Sequence, residues 1–226
     1  GYDSFAGDEE AEGSATGRLA GALYVDYLAP TISSVNCASS ALVGTRGGDV
    51  LTFLGDNFGK NAAAGVAVTL GAGLACAQAD EGRTHTAIRC AVPAGQGSDL
   101  QAVIDVRGRT AAIDVNYRAP AIVAVSRDAA LPTAGGEITI TGTNFGTDPV
   151  VSLMRSDTAA VVTSVVTKDD VGHETIVLDV GEGQGKNRLV VDAGGQQVVS
   201  LFSYVAPALS SVAPARAATE GGVTLT

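Results

Sequence analysis

Between positions 137 and 141 the chain alternates without a break: Glu137, Thr139 and Thr141 are separated by Ile138 and Ile140. A period of two sends the isoleucines to one face of an extended strand and the polar residues to the other, so this stretch predicts a strand with one face on a core and one in water. Asp49-Val50-Leu51-Thr52-Phe53-Leu54 and Val223-Thr224-Leu225-Thr226 read as strands in matching positions. Each of the three follows a glycine pair: Gly47-Gly48, Gly135-Gly136 or Gly221-Gly222. Short alternating segments punctuated by glycine predict an all-β chain. No window approaches the roughly 18 consecutive apolar residues that a membrane-spanning helix requires.

The strands belong to a repeat. Tyr27-Leu28-Ala29-Pro30, Tyr117-Arg118-Ala119-Pro120 and Tyr204-Val205-Ala206-Pro207 place tyrosine and proline three apart each time, and the prolines are 90 and 87 residues apart. That spacing is the size of one small β-sandwich. Each proline opens one phrase: Pro-Thr-Ile-Ser-Ser-Val from Pro30, Pro-Ala-Ile-Val-Ala-Val from Pro120 and Pro-Ala-Leu-Ser-Ser-Val from Pro207. After the glycine pair and its strand come Gly55-Asp56-Asn57-Phe58-Gly59 and Gly142-Thr143-Asn144-Phe145-Gly146. Asn and Gly tolerate positive φ and turn the chain sharply, leaving Phe58 and Phe145 to plug a core. The first copy has one more residue than the second between its glycine pair and this asparagine. A β-bulge is expected there, because one extra residue would otherwise flip every side chain beyond it. A later turn, Val92-Pro93-Ala94-Gly95-Gln96-Gly97 or Val180-Gly181-Glu182-Gly183-Gln184-Gly185, precedes two strands that end in Tyr117 and Tyr204.

In this order, with a cysteine pair in the first copy, the motifs resemble the IPT/TIG domain, an immunoglobulin-like fold of plexins, hepatocyte-growth-factor-receptor relatives, fibrocystin-like proteins and many microbial surface proteins. The resemblance spans residues 30–206. It implies tandem immunoglobulin-like β-sandwiches and an extracellular interaction or spacer role, and it implies no ligand. The expected organisation is the C-terminal part of one repeat over 1–29, complete repeats over 30–119 and 120–206, and the N-terminal part of another over 207–226. Leu23-Tyr24-Val25-Asp26-Tyr27 reads as the last strand of that earlier repeat, and both partial units are expected to need neighbouring material to cover their apolar faces. Gly1 in place of Met and the acidic, Gly-rich opening suggest that translation starts elsewhere. Pro30, Pro120 and Pro207 fix φ at junctions with almost no linker, so the sandwiches are expected to run head to tail.

Composition narrows the function. The formal net charge is -10, and phosphate backbones and anionic lipid surfaces repel such a chain, which argues against nucleic-acid binding and against Rel-type relatives of the fold. Aromatic residues make up 4 %, with no Trp and 29 Gly, as suits short strands and tight turns.

Candidate chemistry is sparse. The Ile88, Cys90, Val92 alternation puts Cys90 on a core face, and Cys76 with Cys90 is expected to form a disulfide, against the alternative of two buried thiols. Cys37 is left over, either for an intermolecular partner or as a partly buried thiol. His85 and His173 are the only histidines; they read as loop residues with no ligand at metal spacing. Gly181-Glu182-Gly183-Gln184-Gly185-Lys186-Asn187 fails as a phosphate loop, because Val180 stands where glycine is needed and Asn187 replaces Ser or Thr. Asp8 to Glu12 and Asp169-Asp170 lack the oxygen-ligand spacing of a calcium loop. There is no Asn-x-Ser/Thr sequon.

The expectation is therefore a non-catalytic extracellular or cell-surface scaffold, a segment of a shaft or filament, with neither cofactor nor metal. Its expected partners are neighbouring repeats and other copies of the same protein. One alternative is a receptor or adhesin ectodomain that binds protein or glycan through sandwich-end loops. Another is an accessory domain of an extracellular carbohydrate enzyme.

Overall fold

The computed structural model describes residues 26–37, 42–59, 65–71, 73–78, 83–126, 130–155, 161–164, 167–168, 173–214, 216, 219–222 and 224. Among them every regular element is a β-strand. The chain divides into two compact units, Gly1–Arg118 and Ala119–Thr226.

The first unit contains β1 (Thr31–Cys37), β2 (Leu42–Val43), β3 (Val50–Asp56), β4 (Val66–Leu70), β5 (Leu74–Ala75), β6 (Ala77–Gln78), β7 (Ala87–Ala91), β8 (Leu100–Val106) and β9 (Arg109–Tyr117). They form two sheets, ordered β1-β3-β7-β6 and β2-β9-β8-β4-β5. The core lies between these sheets because alternate residues of facing strands share a side. In one sheet Leu51 pairs with Cys90 and Phe53 with Ile88, while in the other Val68 pairs with Ile104 and Leu70 with Ala102. All eight are buried.

The second unit repeats the plan with β10 (Ala121–Val125), β11 (Gly136–Thr143), β12 (Val150–Arg155), β13 (Val161–Ser164), β14 (Thr167–Lys168), β15 (Thr175–Val180), β16 (Lys186–Ala193) and β17 (Gln196–Ser203). Its sheets are ordered β10-β11-β15-β14 and β13-β12-β16-β17. The Ile138 and Ile140 stripe pairs with Leu178 and Ile176, all four within the core. The parallel pairing of β2 with β9 survives as a single bridge between Leu131 and Tyr204.

The extra residue of the first repeat is taken up at the mouth of β3. Gly48 donates its N–H to the Val92 carbonyl and Val92 donates to the Asp49 carbonyl, each at 2.8 Å, so two residues face one. Gly48 has φ of 84°, a left-handed conformation that suits glycine in such a bulge. Beyond it, Leu51 and Ile138 enter their cores in the same register. A second irregularity, which the sequence did not announce, shifts the register between Ile32 and Ser34 and again between Ile122 and Ala124.

The flanks differ from the complete repeats. Residues 26–30 form no strand, and Tyr27 is 84 % exposed although Tyr117 and Tyr204 are buried. The expected strand Leu23–Tyr27 lies mostly in positions 1–25, outside the described residues. Asp26 is ion-paired with Arg109. Pro30 and Pro120 are buried, whereas Pro207 is exposed. Ile32, Val35, Ile122 and Val125 pack on their cores, but their counterparts Leu209 and Val212 are 89 % and 50 % exposed. Thr224 forms no strand, and Val223, Leu225 and Thr226 lie outside the described residues.

Candidate functional site

The residues that recur between repeats build two clasps in each unit. In the first clasp, Asn57 and Asn144 adopt left-handed φ of 63° and 59°, followed by Gly59 and Gly146 at 81° and 84°. This turn drives Phe58 and Phe145 completely into the core. Each phenylalanine donates its backbone N–H at 3.0 Å to a histidine carbonyl, His85 in one unit and His173 in the other. The two histidines thus occupy equivalent corners of different repeats, and their 88-residue offset, close to the repeat period, is the sequence signal of that equivalence. His85 also places Nε2 3.0 Å from Asp56 Oδ1 on the surface.

Gly55 and Gly142 complete this clasp by having no side chain. A Cβ would lie 1.9 Å from the Thr31 carbonyl oxygen in one repeat and 2.0 Å from the Ala121 carbonyl oxygen in the other, with the phenylalanine ring on its other side at 2.6 and 2.5 Å. The asparagine side chain then reaches back to the residue before each proline. Asn57 Nδ2 donates to the Ala29 carbonyl at 3.1 Å and Asn144 Nδ2 to the Ala119 carbonyl at 3.3 Å.

The second clasp is the terminal tyrosine. Tyr117 donates its hydroxyl to the Pro93 carbonyl at 2.9 Å, and Tyr204 donates to the Gly181 carbonyl at 2.8 Å. The rings cover Gly95 and Gly183, where a Cβ would come within 2.6 Å of them. The next amides are held too, by Arg118 N–H donating to Val43 and Val205 N–H to Leu131. Burial raises the pKa of both phenols. In the unfolded chain a tyrosine ionises near its ordinary value of about 10. The folded chain holds these protons longer, so their stabilising effect is complete below that pH and is lost as pH rises through the folded values. We expect denaturant midpoints of both units to fall above about pH 10. Absorbance at 295 nm should show two of the five tyrosines, Tyr117 and Tyr204, ionising above the ordinary range; ionisation of both near pH ~10 would contradict the buried clasp.

Cys76 and Cys90 form a disulfide with Cα atoms 5.6 Å apart. Cys76 stands between β5 and β6, where the chain passes from one sheet to the other, and Cys90 lies on the core face of β7. The bond therefore pins the crossover. The second unit makes the same crossover between β13 and β14 without a cysteine. Cys37 is half-buried at the end of β1 opposite Leu51, which in turn faces Cys90, so one strand separates it from the disulfide.

The Val180 to Asn187 turn of the second unit borders a cleft of about 350 Å³. Its lining includes Thr133, Leu153, Glu182, Gln184, Asn187 and Tyr204. Asn187 faces Phe202 across β16 and β17 as Leu100 faces Val115 across β8 and β9, so an amide occupies the place of a leucine that packs, partly buried, against the core. Asp8 to Glu12 and Asp169-Asp170 lie outside the described residues. Among the described residues no group of three His, Cys, Asp or Glu side chains is placed to hold a metal ion, and no helix is long and apolar enough to cross a membrane.

Paired sheets, sheet-switching short strands and tyrosine clasps, present twice in one chain, define a tandem immunoglobulin-like β-sandwich protein. Residues 30–118 and 120–205 each match the model of the IPT/TIG domain, and the chain belongs to this family. Among solved structures it is similar to the surface glycan-binding protein PbSGBP-B of Prevotella bryantii, at 18 % identity and a TM-score of 0.46, covering 78 % of this chain and 43 % of that one. It is also similar to the plexin A4 full extracellular region, at 16 % identity and a TM-score of 0.38, with 78 % of this chain and 18 % of that one covered. The adhesin InvE of Yersinia pseudotuberculosis matches at 14 % identity and a TM-score of 0.35, over 78 % and 60 % of the two chains. The chain therefore spans less than half the length of the first two. None of the curated proteins compared with it matches.

Proposed function

We propose that this chain is a non-catalytic structural and adhesive segment of a longer extracellular or cell-surface repeat protein, serving as a shaft that carries its neighbours outward. The bonding of the junction supports this most directly. Tyr117 and Arg118 are hydrogen-bonded into the first unit, while Ala119 is hydrogen-bonded and Pro120 buried in the second. The two units therefore follow one another in sequence with no spacer between Arg118 and Ala119. The tyrosine and asparagine bonds occur at both tyrosine-proline junctions that border a complete repeat on the relevant side, so the device suits an array of many copies. Exposed Leu209 and Val212, which correspond to core residues in both complete repeats, support reading 207–226 as the opening of another repeat. The disulfide fits an oxidising compartment.

Electron microscopy of the native full-length protein tests this reading. Periodic stalks or fibres at the cell surface are expected; a soluble intracellular distribution with no extended form would overturn it. A second reading, a receptor or adhesin ectodomain that binds protein or glycan through sandwich-end loops, is favoured by one observation, the cleft beside Glu182 and Asn187 in the second unit.

A further inference from the structure

We infer that the cleft at the end of the second unit is a binding site for one neutral hexopyranose unit of a glycan, an inference that rests on the second reading above. The first indication is Asn187. It is 2 % exposed and lies on the core face of β16, where the first repeat uses Leu100 to pack the core. Among the described residues its side chain makes only two hydrogen bonds, both 3.4 Å long, from Nδ2 to the carbonyls of Gln184 and Gly185. A buried amide held so weakly is unfavourable for folding, and a residue that breaks the core pattern without a structural gain marks a site.

The surroundings define the ligand. Leu153 and Tyr204 contribute apolar lining, while Thr133, Glu182 and Gln184 supply hydroxyl, carboxylate and amide groups. A pyranose presents the complementary surface, C–H groups on its faces and hydroxyls around its rim that both donate and accept. Glu182 disfavours phosphates and carboxylates, and no Lys, Arg or His among the described residues lines the cleft. At about 350 Å³ the space sits at the small end of ligand pockets and far exceeds a cation with ligands at about 2.4 Å. The first repeat has Ala94 where the second has Glu182 and Leu100 where it has Asn187, so the site belongs to one repeat of the pair.

The test is a nitrogen-15 NMR titration of the whole chain with methyl β-D-glucoside, methyl α-D-mannoside and methyl β-D-galactoside in turn, and separately with calcium chloride. At least one glycoside is expected to give saturable shifts concentrated at Thr133 and across 181–187. Losing one well-made hydrogen bond should weaken that binding by about tenfold in Glu182→Ala and in Asn187→Leu, the latter restoring the residue of the first repeat. Asn187→Leu should also melt at a higher temperature than the parent, a gain that a purely structural amide would not give. Glu182 is exposed, so its variant keeps the test open if the leucine variant folds poorly. The proposal is overturned by affinities unchanged in both variants, by shifts with calcium alone, or by no shifts with any glycoside. Shifts confined to other loops overturn it too, while leaving the wider binding reading intact.

Discussion

Phe145→Ala is expected to remove about 3–5 kcal/mol from the second unit, the usual result of truncating a fully buried phenylalanine. The ring is completely buried and lies against Gly142, whose missing Cβ makes its space, so alanine would leave a hole bordered by backbone that has little room to collapse. Domains of this size are stable by about 5–15 kcal/mol, and the second unit has no covalent staple. The second unit should therefore unfold at a clearly lower denaturant concentration than the parent. Phe58→Ala should lose a similar amount but leave the first unit folded while its disulfide is intact. Urea titrations followed by NMR, reading the two units through separate resonances, would measure both. A loss below about 1 kcal/mol at either position would show that the ring is not the plug that the clasp geometry implies.

Opening the Cys76–Cys90 bond is expected to destabilise the first unit by about 3 kcal/mol, from the entropy returned to an unfolded loop of this length. The second unit should keep its midpoint, since no cysteine lies within it. Denaturation with and without reductant, or of a Cys76→Ala, Cys90→Ala double variant, gives the comparison. If the second transition moved equally, the two units would not unfold independently; if the first did not move, the crossover between β5 and β6 would already be held by packing alone.

Much of this fold was legible because the repeat appears twice in full. The Asn-Phe-Gly turn and the tyrosine before each proline combine residue types with unusual backbone or packing demands, and such residues can be aligned by eye. The Ile138 and Ile140 stripe identified its strand because one face is buried and the other exposed. Elsewhere the signal failed for physical reasons. Strands β5, β6, β13 and β14 are two to four residues long, too short for a period to register. In β16, Leu189-Val190-Val191 is apolar on both faces, and Leu201 of β17 continues the outer face while 66 % exposed, so alternation alone does not reveal which side is core. The register shifts beside Ser33 and Val123 leave no trace in residue type, and neither side chain is special to a bulge. The core-facing position of Asn187 is hidden for another reason. The first repeat carries Ser98-Asp99 where the second carries only Lys186, and this one-residue difference hides the leucine that the amide replaces.

The disulfide also makes the two units unequal under a pulling force. A stretched chain lengthens by about 3.5 Å for every residue released from a fold. The 14-residue span between Cys76 and Cys90 stays closed until its bond is reduced. The first unit would thus yield about 43 Å less extension than its residue count allows, a reserve that only a change in redox conditions would release.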